Sequence, residues 1–213
     1  MMPIFKRTKI FLLLFALFVV TGIYLMLTYT KIDIYLFVNK HNSEFLDLLF
    51  KFITNLGHGL FAIVIVLALL FWRYRYSITV LVAYLSSGLI SQVFKRFIFP
   101  TTLRPAALCD DACHFVEGIK LHYHHSFPSG HTTSAFAVFV CLAFFARNKS
   151  LQCLFFVLAI ATGYSRIYLS QHFFIDVYFG ALIGVIFAIF TILLLKNMRA
   201  EWLDRSILKK RKL

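Results

Sequence analysis

The sequence predicts an all-α, polytopic membrane protein: six transmembrane helices in one bundle, with a short interfacial helix near the N-terminus. Three observations predict it. Apolar residues make up 61% of the 213-residue chain, with a mean hydropathy of +0.82, whereas a soluble domain is nearer about 45–50% apolar. Six runs with few or no charges reach or approach the roughly 20 residues that cross a bilayer. The charges lie in short clusters between those runs, so the net charge of +13 belongs to a membrane surface and excludes nucleic acid as the partner. No polar, Gly/Ser-rich or Pro-rich linker divides residues 1–213, which read as a single membrane-embedded domain without repeats or low-complexity tracts.

The first run, Ile10 to Tyr29, follows Lys6, Arg7 and Lys9. It is too long for a signal-peptide core and lacks a small-x-small cleavage site, so it reads as an uncleaved anchor. Asn39 to Lys51 reads as a short interfacial amphipathic segment. The second run spans Phe52 to Trp72 and the third Ser77 to Phe94. The fourth, His131 to Ala146, and the fifth, Leu151 to Ser165, are short and need weakly polar neighbours to complete a span. The sixth is Val177 to Leu195.

Orientation follows from the loops. With the N-terminus inside, the cytoplasmic segments hold Lys6, Arg7, Lys9, Arg73, Arg75, Arg147, Lys149, Lys196, Arg199, Arg205 and Lys209 to Lys212, against the two acids Glu201 and Asp204. That bias fits the positive-inside rule with both termini cytoplasmic. The tail Lys209-Lys210-Arg211-Lys212 reads as an anchor to anionic lipid. The connections Lys95 to Gly130 and Arg166 to Asp176 then share the opposite face, and they carry almost every residue capable of chemistry.

Three groups stand out there. They are Lys95 followed by Arg104-Pro105; Pro128-Ser129-Gly130-His131; and Ser165-Arg166, five residues, His172, three more, and Asp176. An ionisable residue at membrane depth is costly and marks a functional site by default. A carboxylate four residues from His172 can fix the imidazole tautomer and leave the other nitrogen free to attack. His131, from a different helix, can protonate a leaving alkoxide. Lys95, Arg104 and Arg166 can neutralise a phosphoryl group. The backbone N–H groups of Ser129 and Gly130, at a helix N-terminus entered through Pro128, form an anion site.

These motifs resemble the type-2 phosphatidic acid phosphatase superfamily. Pro-Ser-Gly-His and Ser-Arg-x5-His-x3-Asp match without departure. The first motif departs: the family places six residues between its lysine and Arg-Pro, and here eight separate Lys95 from Arg104 and seven separate Arg96 from it. Lys95 is favoured over Arg96, with a two-residue bulge around Pro100 absorbing the extra length. The resemblance implies a metal-independent, cofactor-free reaction in two steps. His172 attacks phosphorus to form a phosphohistidine, Asp176 orients it, and His131 protonates the leaving group and then helps activate water. It also implies a bacterial inner-membrane enzyme with its site on the extracytoplasmic face. The substrate expected first is lipid A, with undecaprenyl pyrophosphate, phosphatidylglycerophosphate or phosphatidate as alternatives. A lipid-to-lipid phosphotransferase and a non-catalytic membrane scaffold or transporter are the rival classes. The six apolar spans argue against the soluble vanadium haloperoxidases, which share the motif chemistry.

The remaining residues carry blander expectations. His122, His124 and His125 are not fixed into a closed ligand geometry, so they read as lining a headgroup entrance and not as a metal site. His58 reads as a packing or capping residue. Cys109 and Cys113 are spaced for a disulfide, which the spacing leaves open, and Cys141 and Cys153 read as apolar packing. Gly180 and Gly184 read as a helix-packing pair.

Overall fold

The computed structural model describes residues 4–109, 113–146 and 148–208. Arg147 and the basic tail Lys209 to Lys212 lie outside the described residues. Among those residues the chain forms nine α-helices: α1 (Ile4–Arg7), α2 (Lys9–Thr28), α3 (Lys31–Lys40), α4 (Glu44–Ile53), α5 (Gly59–Leu70), α6 (Tyr74–Val93), α7 (Gly130–Ala146), α8 (Lys149–Tyr168) and α9 (Phe174–Lys196). The only pairing of extended chain among them is one antiparallel bridge between Leu103 and His124.

Local signals set the helix ends. Thr30 and Asp33 cap α3 reciprocally, Asp33 N–H donating to Thr30 Oγ1 at 3.2 Å and Thr30 N–H to Asp33 Oδ2 at 3.0 Å. Ser43 accepts from Leu46 N–H at the start of α4, and Asn148 accepts from Ser150 and Leu151 at the start of α8. His58 starts α5, its Nδ1 accepting from Leu60 N–H at 3.2 Å.

Of the expected six spans, the structure supports a coarser count. Among the described residues, four helices are long and apolar enough to cross a bilayer: Lys9–Thr28, Tyr74–Ile98, Lys149–Tyr168 and Phe174–Lys196. A fifth is reached if Glu44–Gly57 and Gly59–Leu70, bent by 56° at His58, count as one. The bend also corrects the segment before it. The expected single interfacial stretch is two helices, α3 and α4, and α4 leads directly into the turn Thr54–Gly57. The expected fourth run is the 17-residue helix Gly130–Ala146. At about 1.5 Å per residue it falls short of a hydrocarbon core of about 30 Å.

The reason α7 can be short is its position. It packs against α6, α8 and α9, and residues on all its sides are buried, from Thr132 and Thr133 to Ala143 and Phe144. Lipid therefore meets its neighbours, whose outward side chains, such as Leu17, Val20, Leu67, Ile186 and Phe190, are exposed and apolar. Such a belt is untenable in water and ordinary in a bilayer. The chain is a multi-pass, all-helical membrane protein. The glycine pair on α9 explains the closeness of α7. A Cβ at Gly180 would lie 2.7 Å from Ser129 O, and one at Gly184 would lie 2.5 Å from Thr133 O. The pair thus serves packing within the chain.

Candidate active site

The starts of α7 and α9, the ends of α6 and α8 and the long connection before α7 meet at one end of the bundle, around a cavity of about 310 Å³. Lys95, Arg104, Gly130, His131, Arg166 and His172 line it. Six of the eight residues singled out by sequence therefore share one small volume. Asp176 stands behind His172, and Ser129, fully buried, does not line the cavity.

His172 sits in the short link between α8 and α9, 2% exposed, held by its N–H donating to Arg166 O at 3.1 Å. Its Nδ1 faces Asp176 Oδ2 at 3.5 Å, so Nε2 is the nitrogen free to meet a substrate. Burial, followed by Arg104, Lys95 and Arg166, holds the imidazole well below its ordinary pKa. It is neutral at pH 7, the state a nucleophile requires.

Asp176 Oδ2 also accepts from Phe173 N–H at 2.9 Å and from Ser126 Oγ at 2.5 Å. Ser126 is fully buried, and its hydroxyl stands 3.5 Å from His172 Nδ1. The sequence reading missed it. Ser126 belongs to no motif and is brought to α9 by the fold of the long connection. Ser126 N–H donates to Thr102 O at 3.2 Å, Phe127 N–H donates to Thr102 Oγ1 at 3.2 Å, and the Phe127 ring packs between Phe99 and Phe179.

The three cations are held by different means. Arg104 N–H pairs with Tyr123 O beside the Leu103–His124 bridge, and its guanidinium donates to the carbonyls of His124, Gln171 and His125 at 2.9, 2.9 and 3.3 Å. Burial lowers its pKa, against the pull of Asp176. Arg166, on the last turn of α8 and 8% exposed, donates from Nη1 to Thr54 Oγ1 at 2.6 Å, while its Nε is buried without a partner among the described residues. A buried guanidinium N–H beside a polar cavity is a donor ready for an anion. Gln171 and Thr54, which brace these arginines, were also not singled out by the sequence.

Lys95 lies on a π-turn, Phe94–Ile98, that continues α6 and closes with Phe99 N–H donating to Phe94 O at 2.8 Å. This wider turn sits upstream of the expected bulge at Pro100. It takes up part of the extra length between Lys95 and Arg104, because each π-turn inserts a residue relative to an α-helix. It places Lys95 against the cavity and leaves Arg96 exposed and away from it.

The Ser129 expectation is corrected. Its N–H donates to Asp176 O at 3.0 Å and is not available to an anion, and its Oγ accepts from Thr132 Oγ1 at 2.9 Å as the cap of α7. Gly130 remains open to the cavity, with nothing within 4 Å of where a Cβ would stand.

His131 lies where the cavity adjoins a wider groove of about 510 Å³, walled by Gly57, Tyr84, Gly88 and Leu89. The two spaces share Gln92, Gly130 and His131. His58 stands in the groove with its ring 6.0 Å from that of His131. Gly57 permits that approach, since a Cβ there would lie 2.6 Å from His131 O. Of the loop histidines, His122 lines the cavity, while His124 and His125 serve through their carbonyls. No group of three or more metal-ligating side chains occurs among the described residues. Cys109 and Cys113 are joined in a disulfide, and Cys141 is buried and Cys153 exposed, both as free thiols.

Known proteins resemble this chain in sequence and fold. The chain is 28% identical over 147 residues to undecaprenyl-diphosphatase BcrC of Bacillus subtilis, covering 69% of this chain and 74% of that one. It is 29% identical over 127 residues to the lipid A 4'-phosphatase of Porphyromonas gingivalis, of which it spans half, with 57% of this chain aligned. The crystal structure of Aquifex aeolicus LpxE superposes with a TM-score of 0.68 at 27% identity, over 76% of this chain and 93% of the other. The sequence profile of the PAP2 superfamily matches residues 76–200, the stretch from the start of α6 to the end of α9 that builds the cavity, and the chain belongs to the PAP2 superfamily.

Proposed function

We propose that the chain is a metal-independent lipid phosphatase that hydrolyses a phosphate monoester or pyrophosphate on a membrane lipid through a phosphohistidine. The observation that carries this is the division of space around His131. On one side lies a small cationic cavity sized for a phosphoryl group, on the other a larger, partly apolar groove. A substrate with its phosphoryl group among Lys95, Arg104, Arg166 and the Gly130 backbone has its leaving oxygen beside His131 and its lipid portion in the groove.

The chemistry follows from that placement. His172 Nε2 attacks phosphorus while the bond to the leaving oxygen breaks, and His131 gives that oxygen a proton. Asp176, aligned by Ser126 and Phe173 N–H, stabilises the cationic imidazole that forms. Water, deprotonated by His131, then attacks the phosphohistidine and releases phosphate. The cations supply the transition-state charge that a metal provides elsewhere.

Six spans, with α7 as the enclosed central one and both termini cytoplasmic, would put the site on the extracytoplasmic face of a bacterial inner membrane. The named relatives act on lipid A and on undecaprenyl diphosphate, and lipid A stays the first substrate to try. The test is purified protein in detergent, after chelation with EDTA, against a panel of lipid phosphates. Phosphate release and a phosphohistidine at residue 172 are expected. Activity lost on chelation and restored by zinc would refute metal independence, and phosphate found on a second lipid would favour the phosphotransferase.

A further inference from the structure

At the end of the bundle opposite the catalytic cavity, four cations converge on a second cavity, of about 190 Å³, that the reaction does not use. Arg7 reaches it from the end of α1, Arg73 and Arg75 from the start of α6, and Lys196 from the end of α9, with Asp204 the one carboxylate in its wall. Arg75 is consumed by the fold. Its Nε and Nη2 hold both Asp204 oxygens at 3.0 and 2.7 Å, and its Nη1 donates to the carbonyls of Leu195 and Met198 at 2.5 and 3.2 Å. This bidentate pair neutralises Asp204, which Arg73 approaches only to 3.8 Å.

Arg7 and Lys196 form no ion pair among the described residues. The Arg7 guanidinium lies over the Phe144 ring at 5.3 Å, and its Nε is buried without a hydrogen-bond partner among the described residues. Stacking of this kind fixes the plane of the guanidinium and leaves its N–H edge for an oxyanion. A buried charged donor without an acceptor from the chain is costly unless a ligand provides one.

We propose that this cavity binds the phosphate of an anionic lipid headgroup from the leaflet opposite the catalytic site. A planar arginine edge beside an ammonium suits the several oxygens of a phosphate. The depth of the cavity selects a lipid as its carrier. Exposed Phe71, Trp72, Met198 and Trp202 surround this end of the bundle, marking the level where hydrocarbon gives way to headgroups. A phosphate held there lies in the headgroup layer, within reach of its own acyl chains.

The chain's two tryptophans, Trp72 and Trp202, both lie at this end, so their fluorescence reads it selectively. In vesicles containing brominated phosphatidylglycerol or brominated phosphatidylcholine, the full chain should be quenched preferentially by the anionic lipid. Arg7→Gln and, separately, Lys196→Gln should each lower that preference about fivefold, the order expected for one cation at a lipid surface. Turnover at the far end should stay at the wild-type level and report an intact fold. The proposal is overturned if both lipids quench equally or if the preference survives in both variants. It is also overturned if excess inorganic phosphate abolishes the preference, since the ligand would then be free phosphate.

Discussion

Replacing Asp176 with asparagine isolates the charge behind His172, the proposed nucleophile, because the side-chain shape is kept. In the wild type Oδ2 stands 3.5 Å from His172 Nδ1 and accepts from Phe173 N–H and Ser126 Oγ. An asparagine with its carbonyl oxygen at that position keeps the two donated bonds, so α9 still starts where it does. What disappears is the attraction between a carboxylate and the cationic imidazole of the phosphohistidine. Two unit charges 3.5 Å apart attract by about 5 kcal/mol at an effective dielectric of about 20. The retained amide acceptor returns about 1 kcal/mol of that. The remaining roughly 4 kcal/mol corresponds to a fall in kcat of about a thousandfold. KM should hold, because Asp176 does not line the cavity. Phosphate release under saturating substrate, with the phosphohistidine trapped in parallel, measures both. A kcat within threefold of wild type, or a raised KM at unchanged kcat, would show that Asp176 does not act through His172.

Lys95→Ala should lower turnover about 10- to 100-fold, as for one charged transition-state contact, while Arg96→Ala stays near wild type; the reverse result would mean that the π-turn does not set which cation is used. Because the His172 pKa is held well below its ordinary value, the neutral nucleophile persists as pH falls. The acid limb of kcat/KM that belongs to it should therefore lie below the ordinary histidine pKa of about 6.5. A limb at or above that value counts against this environment for the nucleophile. In a Cys153→Ser background, which removes the exposed free thiol, an impermeant thiol reagent should label Lys120→Cys in intact cells and Lys149→Cys only after permeabilisation. Labelling at position 149 from outside would reverse the proposed orientation.

The parts of the site legible in the sequence are those that physics ties to spacing or cost. His172 and Asp176 declare themselves by helical spacing, and Arg104 and Arg166 by the price of a cation beside an apolar run. Lys95 could be preferred over Arg96 because one helical step turns a side chain by about 100°. Ser126 had no such signature. A serine in a loop without periodicity can lie anywhere, and its place depends on the pairing of Thr102 to Arg104 with Tyr123 to Phe127. The same limit applies to Ser129. Whether a helix-terminal N–H is free depends on what packs against it, and here the carbonyl of Asp176 does. The bend at His58 was hidden for a different reason: the apolar end of the amphipathic α4, Phe52 and Ile53, runs toward the apolar α5, so the two read as one span with an interfacial segment before it.

The close approach of α7 and α9 explains why these positions are coupled. Gly180 and Gly184 bring the α9 backbone against the first turns of α7, which lets Ser129 N–H reach Asp176 O. That bond ties the turn carrying His131 to the residue that orients His172. His131, on the first turn of α7, and His172, in the link before α9, come from different segments, yet this backbone contact ties their positions together. A side chain at Gly180 would have to displace Ser129 O, 2.7 Å from its Cβ, and would therefore move His131 relative to His172 even if the bundle still assembled. Gly180→Ala is accordingly expected to lower kcat more than it lowers the melting temperature suggests for a packing defect. Proximity of the two histidines is a geometric requirement of the reaction, whereas helix packing in a membrane tolerates small shifts. If kcat followed thermal stability alone across Gly180→Ala and Gly184→Ala, this coupling would be wrong, and the glycines would serve only to pack the bundle.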